Sequence, residues 1–262
     1  MATTTKKKKP ATATAASLYT ERNDVSGWEP ELWEEVVGPA EPCPTALLRK
    51  EYGLPNSSDP SEWPEDAPVN VPFWANRFVY GINVGPFQVS GYWGAVDLLR
   101  RALAAFSVTL PDLYRQLGTE GMLNVRSVRG SATTPSNHCF GMAIDFKIAK
   151  QLTNRGVERV HEGLFYVWAV LRNFGFYWGL GFPTTDAMHF EINKETVLRW
   201  IRNGELADDH GKQKWLKSIG EPLDGAKLAQ GIPGAWPSQS PASPPAAGAG
   251  TGAGSKPPGQ AG

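Results

Sequence analysis

The sequence has few cysteines, no excess of either charge and no long apolar run. Two cysteines, Cys43 and Cys139, are too few for a disulfide scaffold, and the sequence does not decide whether they pair. The 26 basic and 26 acidic residues balance. Nucleic-acid binders usually carry a basic stripe, so this balance disfavours a nucleic-acid partner. The one dense basic run, residues 6–9, lies among Thr, Ala and Pro and is interpreted as solubilising.

The longest apolar stretch is residues 164–171, far short of the ~20 residues that span a bilayer. The lysines near the start are not followed by the apolar region of a secretory signal. We therefore expect no membrane span and a cytoplasmic protein as synthesised. We also expect a monomer.

Both ends of the chain are low in complexity and cannot bury enough apolar surface to offset the entropy of ordering. We predict a disordered arm over residues 1–19 and a disordered Pro/Gly/Ala-rich tail over 226–262. The folded domain is then 20–225. Its first part, 20–75, is rich in Trp and Pro with weak periodicity, and is interpreted as packing and lid rather than a separate binding module.

The hydrophobic pattern predicts an α+β fold, with a small antiparallel sheet and helices on one side. Apolar residues at helical spacing predict helices over residues 92–106, 111–117, 161–174 and 194–203. Alternation of apolar and polar residues predicts strands over 122–128, 141–148, 176–181 and 188–192.

Two of the four histidines stand in a context that suits a metal. A catalytic zinc needs three N or O ligands and one open position. His138, Asp145 and His189 would supply two imidazoles and a carboxylate from a loop and two neighbouring strands. One Zn²⁺ is expected there. His161 and His210 have no carboxylate motif around them and are interpreted as structural.

Amide hydrolysis at a zinc also needs a proton acceptor and a positive group for the oxyanion. Asp186, three positions before His189, is the predicted base. Glu191 is the alternative base, or else the partner that orients an imidazole. Arg126 and Arg129 are the candidates for the oxyanion. As strand residues three positions apart they would face opposite ways, so we expect only one to reach the metal.

Three further residues carry predictions about packing and substrate contact. Cys139 adjoins His138, but neighbours in an extended segment point to opposite faces, so it is expected to pack inward rather than act as a nucleophile. Ser136 is expected to shape the turn by bonding the backbone or a ligand. Trp178 is either core or a wall of the substrate cleft, and the sequence leaves both open.

The segment from Ser136 to Asp145 reads S-x-H-x-x-G-x-A-x-D, and residues 186–189 read D-x-x-H. This two-part motif resembles the D-alanyl-D-alanine carboxypeptidase (VanY-like) family of zinc peptidases, grouped with lysostaphin-type enzymes and the Hedgehog signalling domain. The similarity spans about residues 90–195. Residues 175–179 (GFYWG) and 188–191 (MHFE) also resemble the branch found in phage endolysins and actinobacterial enzymes.

The resemblance implies a function for each part of this motif. It matches His138, Asp145 and His189 to the zinc ligands, and Asp186 to the catalytic acid and base. Arg126, or else Arg129, then corresponds to the arginine that stabilises the transition state. The implied partner is a peptidoglycan stem or cross-bridge peptide.

The chain departs from many family members at Asp186, where they carry Glu. A carboxylate shorter by one methylene would sit further from the reacting water. The resemblance also leaves open whether the enzyme is an exo- or endopeptidase and which peptide bond it cuts. Action at the cell wall would require release or export. A cytoplasmic D,D-dipeptidase and a non-catalytic zinc-binding or adhesion module are the alternatives.

Overall fold

The computed structural model describes residues 15–131 and 133–232. The helices in this part of the chain are α1 (Ala15–Thr20), α2 (Pro30–Val37), α3 (Thr45–Tyr52), α4 (Pro72–Ala75), α5 (Trp93–Thr109), α6 (Pro111–Tyr114), α7 (Glu162–Leu171), α8 (Lys194–Arg202), α9 (Asp209–Ser218) and α10 (Gly225–Leu228). The strands are β1 (Arg22–Asp24), β2 (Phe78–Asn83), β3 (Gln88–Tyr92), β4 (Leu117–Gly121), β5 (Ala143–Ile148), β6 (Arg159–His161), β7 (Phe176–Trp178) and β8 (His189–Ile192).

The central element is a four-stranded antiparallel sheet in the order β4-β5-β8-β7. Two smaller antiparallel pairs, β1 with β6 and β2 with β3, complete the strands. The predicted α+β class with a small antiparallel sheet is confirmed. None of the described helices is both long and apolar enough to cross a membrane.

The core lies between this sheet and α7, all ten residues of which are buried. Phe190 of β8 stacks on Trp178 of β7 with ring centroids 5.6 Å apart, and Trp168 of α7 packs against both rings. Fully burying one such aromatic side chain stabilises the fold by ~1.5–3 kcal/mol. The strands that carry the candidate ligands therefore rest on a rigid aromatic layer.

Most predicted elements match observed ones, but the predicted strand over residues 122–128 is wrong. The strand that pairs with β5 lies earlier, at Leu117–Gly121. Gly121 has φ 118°, a conformation that favours glycine, and there the chain leaves the sheet. Beyond it, the backbone pairing is an isolated bridge between Ser127 and Pro135. The alternating pattern of 122–128 thus marks a loop whose side chains are partly buried.

The predicted arm and tail fall largely on residues 1–14 and 233–262, which lie outside the described part of the chain. Their inner boundaries need correction, because residues 15–19 belong to α1 and residues 226–228 to α10. Tyr19 makes an edge contact with Tyr166, with centroids 5.8 Å apart. Gly225 packs against α5, so closely that a Cβ there would lie 2.4 Å from the Ala104 carbonyl oxygen.

The Trp/Pro-rich segment packs onto the core as expected, although it contains helices that its weak periodicity did not predict. Trp74 is fully buried and its indole N–H donates to the Gly53 carbonyl at 3.1 Å. Trp33 packs edge-on against Trp28. These aromatic rings pack residues 20–75 against the core although the hydrophobic periodicity of that segment is weak.

Candidate metal centre

The antiparallel pairing of β5 with β8 places two of the predicted ligands side by side. Asp145 and His189 are direct partners in this register. Directly opposed residues hold their Cβ atoms within ~4.5–5.5 Å, close enough for both side chains to share one ion.

The third ligand, His138, is positioned by a single 3₁₀ turn, Asn137–Phe140. Ser136 caps this turn, its hydroxyl accepting from the His138 N–H at 3.3 Å, so the expectation that it bonds backbone is confirmed. Gly141 ends the turn with φ 60°, and a Cβ there would lie 2.5 Å from the Tyr92 nitrogen. Only glycine fits at that position, which explains the glycine of the motif.

The three candidate ligand atoms converge closely. His138 Nε2 lies 3.3 Å from Asp145 Oδ1 and 3.2 Å from His189 Nδ1. His189 Nδ1 lies 3.1 Å from the same carboxylate oxygen. All three residues are buried, and they form a group that could hold a metal ion.

The remaining ring nitrogens define the tautomers. His138 Nδ1 lies 3.1 Å from the Met122 carbonyl oxygen, an acceptor, so the proton belongs on Nδ1. His189 Nε2 lies 2.8 Å from Glu191 Oε2, so the proton belongs on Nε2. In the neutral imidazoles, both nitrogens that face Asp145 then present lone pairs. The two ring nitrogens and the Asp145 oxygen are then all acceptors, with no proton between them. A cation stabilises such an arrangement.

The spacing of these atoms also fits zinc. Zn²⁺ bonds of 2.0–2.1 Å at tetrahedral angles place ligand atoms about 3.3 Å apart. The separations of 3.1–3.3 Å between the three ligand atoms agree with that value. Two imidazole nitrogens and one carboxylate oxygen are also the donor set of many catalytic zinc sites. His138, Asp145 and His189 therefore fit the predicted Zn²⁺.

The electrostatics of the cluster are dominated by its carboxylates. Burial alone would lower the pKa of His189, but hydrogen bonds to Asp145 and Glu191 outweigh it and raise the pKa to about 10. Burial would raise the pKa of Asp145, yet the two imidazoles hold it well below its usual range. Without a metal, the site thus attracts a proton to the position that a cation would take.

Asp186 lies in the turn before β8 and lines the same cleft. Its Oδ1 is buried and has no hydrogen-bond partner among the described residues. Burial raises the pKa of this carboxyl above its ordinary value, and Asp145 adds to the effect, while His189 and Arg155 oppose it. A desolvated carboxyl with a free oxygen is well suited to exchange protons with a reactant.

The turn that carries Asp186 depends on Gly179. The Gly179 carbonyl accepts from the Asp186 N–H at 2.9 Å, and the Asp186 carbonyl accepts from the His189 N–H at 3.1 Å. A Cβ on Gly179 would lie 2.6 Å from the Asp186 carbonyl oxygen and 3.1 Å from the His189 Cβ. The predicted base and the ligand after it are therefore held in one tight unit.

Glu191 has the role of an orienting partner in this geometry. It is fully buried, and its carboxylate accepts from His189, from Asn137 and from the Cys43 backbone N–H. A carboxylate with this many partners is a poor proton acceptor for a substrate reaction. Of its two predicted roles, the geometry favours the second.

The cluster opens onto a cleft of about 320 Å³, and arginines line it. Both Arg126 and Arg129 do so, and the expectation that they face opposite ways is wrong, because their segment is a loop and not a strand. Arg155, which the sequence analysis missed, also lines the cleft. Its Nη1 donates to the Arg129 carbonyl at 2.9 Å.

Trp178 is not among the residues that line the cleft, so of the two roles left open for it the structure favours the core. It is fully buried, and its indole N–H donates to the Ala187 carbonyl at 2.8 Å. The aromatic side chain beside the cluster is instead Phe182, whose ring centroid lies 5.6 Å from that of His189. Cys139 packs inward as expected, and it and Cys43 are both buried free thiols.

The residues that sequence reasoning missed share one property: their side chains gave no pattern. Arg155 lies in a turn with no periodicity, and Asn137 occupies a variable position of the motif. Cys43 contributes a backbone N–H, which any residue except proline provides. Among these missed residues, Asn137 is the one that its polar side chain and its place directly before His138 could have suggested.

A comparison with known families identifies a similarity over the segment that carries the site. Residues 129–192 match the family model described as D-alanyl-D-alanine carboxypeptidase. The matched segment contains the three candidate ligands, Asp186 and Glu191, whereas Arg126 precedes it. No curated protein and no solved structure matches the chain. Over residues 129–192 the chain is thus similar to the D-alanyl-D-alanine carboxypeptidases, and the match supports a peptidase.

Proposed function

We propose that this protein is a zinc-dependent peptidase that hydrolyses amide bonds in peptidoglycan peptides. The observation that carries the proposal is the convergence of three buried lone-pair donors, from His138, Asp145 and His189, at the floor of a cleft that Asp186 also lines. The match of residues 129–192 to D-alanyl-D-alanine carboxypeptidases supports the substrate class.

The candidate ligands would hold one Zn²⁺, which when bound supplies activation of water near neutral pH and polarisation of the scissile carbonyl. Asp186 takes the proton of the attacking water on Oδ1, which has no hydrogen-bond partner among the residues that the structure describes. It then delivers that proton to the departing amine. The raised pKa of Asp186 favours this two-way transfer, because a group that both accepts and donates a proton works best when its pKa lies nearer the working pH.

Arg126 is the proposed group for the oxyanion that forms on the scissile carbonyl. Its guanidinium lines the cleft, and its Nη1 donates to the Ser127 carbonyl at 3.2 Å, which leaves other N–H groups for the substrate. A charge-assisted hydrogen bond stabilises the developing charge more than it does the neutral ground state. Arg129 is the alternative group, because it lines the same cleft.

The hydrolysis is tested by digesting purified peptidoglycan and synthetic stem peptides with zinc-loaded protein. Mass spectrometry of the products identifies the bond that is cut. We expect release of free amino groups that stops with a chelator and with His189→Ala. The matched control is His210→Ala, which removes an exposed histidine of α9 and should leave the activity unchanged.

Two results would contradict the proposal. Intact wall and intact stem peptides in the presence of folded, zinc-loaded protein would identify a non-catalytic zinc-binding module. Cleavage of a free D,D-dipeptide without cleavage of wall peptides would identify a dipeptidase.

A further inference from the structure

The carboxylate of Glu191 connects the predicted ligand His189 to distant parts of the chain. Its Oε2 accepts from His189 Nε2 at 2.8 Å and from Asn137 Nδ2 at 2.5 Å, and its Oε1 accepts from the Cys43 N–H at 2.7 Å. The residue is 0% exposed. Because a buried carboxylate is stable only with such partners, its position is set by all three donors.

The amide of Asn137 is itself held from outside the sheet. Its Oδ1 accepts a hydrogen bond from the Thr45 hydroxyl. An amide has one accepting end and one donating end, so this bond turns Nδ2 toward Glu191. A continuous relay therefore runs from Thr45, at the wall of the cleft, through Asn137 and Glu191 to His189.

Cys43 and Thr45 belong to one short segment, residues 41–45, which we call the strap. The strap is tied down at its other end as well. The Glu41 carbonyl accepts from the Lys194 N–H at 3.0 Å, and the Glu41 carboxylate pairs with Lys194 Nζ at 2.6 Å, just beyond the end of β8. The strap thus bridges the far end of the strand that carries His189 and the turn that carries His138.

We propose that the strap belongs to the metal centre and positions the imidazole of His189. The Cys43 N–H and the Thr45 hydroxyl fix Glu191 and Asn137, and Glu191 fixes the tautomer and ring orientation that present Nδ1 to the metal. Partners of this kind, one shell beyond the ligands, govern metal affinity. Residues 41–45 lie outside the segment that matches the peptidase family, so this chain completes its site with residues from another region. The inference rests on the proposed metal centre but not on the proposed hydrolysis.

The test measures zinc affinity by competition with a chromophoric chelator, together with the absorption bands of the Co²⁺-substituted protein. Thr45→Val keeps the shape of the side chain and removes the donor. We expect it to lower zinc affinity about 10-fold and to shift the Co²⁺ bands. Thr45→Ser keeps the hydroxyl and should restore both. Asn137→Asp replaces the amide donor with an acceptor, and we expect a loss of up to about 100-fold.

The matched control is Thr109→Val, at a partly buried threonine whose hydroxyl donates to the Ala105 carbonyl in its own helix. It should change neither affinity nor spectrum. The proposal is overturned if Thr45→Val and Asn137→Asp both keep wild-type affinity and Co²⁺ bands. It is also overturned if Thr45→Ser behaves like Thr45→Val, or if Thr109→Val causes an equal loss. Loss of hydrolysis plays no part in this test, so a failure of the proposed function is seen separately.

Discussion

Two buried histidines of this protein lie in opposite surroundings. His189 is 7% exposed and His161 is 0% exposed, so burial does not distinguish them. His189 lies between two carboxylates, which raise its pKa to about 10. His161 has the Thr153 hydroxyl at Nδ1 and no hydrogen-bond partner at Nε2 among the described residues, and burial, aided by Arg22, lowers its pKa to about 4.

The difference shows what separates a ligand from a structural histidine. Acidic neighbours draw a cation, whether a proton or a metal, toward the His189 ring, whereas the surroundings of His161 keep its ring neutral. The sequence motif anticipated this by placing carboxylates near His138 and His189 and none in such a motif near His161. Substitutions around His189 should therefore change zinc affinity, whereas substitutions around His161 should not.

The largest effect on zinc affinity is expected when His189 is replaced, with the same replacement of His161 for comparison. His189→Ala should lower zinc affinity by about three orders of magnitude or more, because it removes one of three protein ligands. His161→Ala should leave zinc affinity unchanged while lowering the free energy of unfolding. Chelator competition and denaturant unfolding measure the two quantities. Equal losses of zinc affinity in both variants would contradict the assignment of His189 as a ligand and His161 as a structural residue.

A large loss of activity, without loss of zinc, is expected when Asp186 is replaced. Asp186 lines the same cleft as His189. Asp186→Asn should lower kcat by about 10²–10⁴-fold without a matching loss of zinc, because it removes a proton acceptor and not a ligand. Asp186→Glu should retain more activity than Asp186→Asn. Steady-state kinetics on stem peptides, with zinc content measured alongside, separate these effects. Full activity of Asp186→Asn would exclude its role as the base.

A moderate effect is expected from the partners of the two rings. Glu191→Gln should lower zinc affinity about 10–100-fold, because the neutral amide holds the His189 imidazole less firmly. Thr153→Val, which removes the hydroxyl beside His161, should not change zinc affinity at all. Isothermal titration with zinc on both variants provides the comparison. A loss at Thr153 as large as that at Glu191 would contradict the distinction between the two sites.

The smallest effect is a pH dependence of stability from His161. Its folded pKa of about 4 lies below the ordinary value of 6.5, so between these pH values the unfolded chain binds more protons than the folded one. The contribution of this group to the free energy of unfolding is therefore complete above pH 6.5 and falls as the pH drops toward 4. His161→Gln should flatten that part of the profile in urea unfolding. An identical slope in the variant would assign the acid sensitivity to other groups.

Regular elements with strong patterns were predictable from the sequence. The apolar spacing of α5 and α7 and the alternation of β5 reflect one-sided or complete burial, which the residue types record directly. The same reasoning failed at residues 122–128, because alternation of residue types cannot distinguish a strand from a loop with partly buried side chains. There the glycine at 121, with its positive φ, ended the sheet.

The ligands of the site were predictable because their chemistry requires particular side chains at particular spacings. Glu191 was anticipated as a possible partner of an imidazole, but the groups that hold Glu191 and Asn137 in place were not. The N–H of Cys43 carries no side-chain signature, and the contact of Thr45 with Asn137 joins positions 92 apart. Arg155 reaches the cleft only because two loops meet, and Trp178 gave no sign of which face of the sheet it would occupy. Such contacts follow from the tertiary fold and leave no local pattern.

The strap has a consequence for the order in which the protein becomes functional. The contact between Cys43 and Glu191 closes a separation of 148 positions, so it forms only after almost the whole folded chain has been synthesised. Until then His189 lacks its full set of supports, and a metal ion would meet an incompletely oriented ring. Maturation of the centre is thereby coupled to completion of the fold.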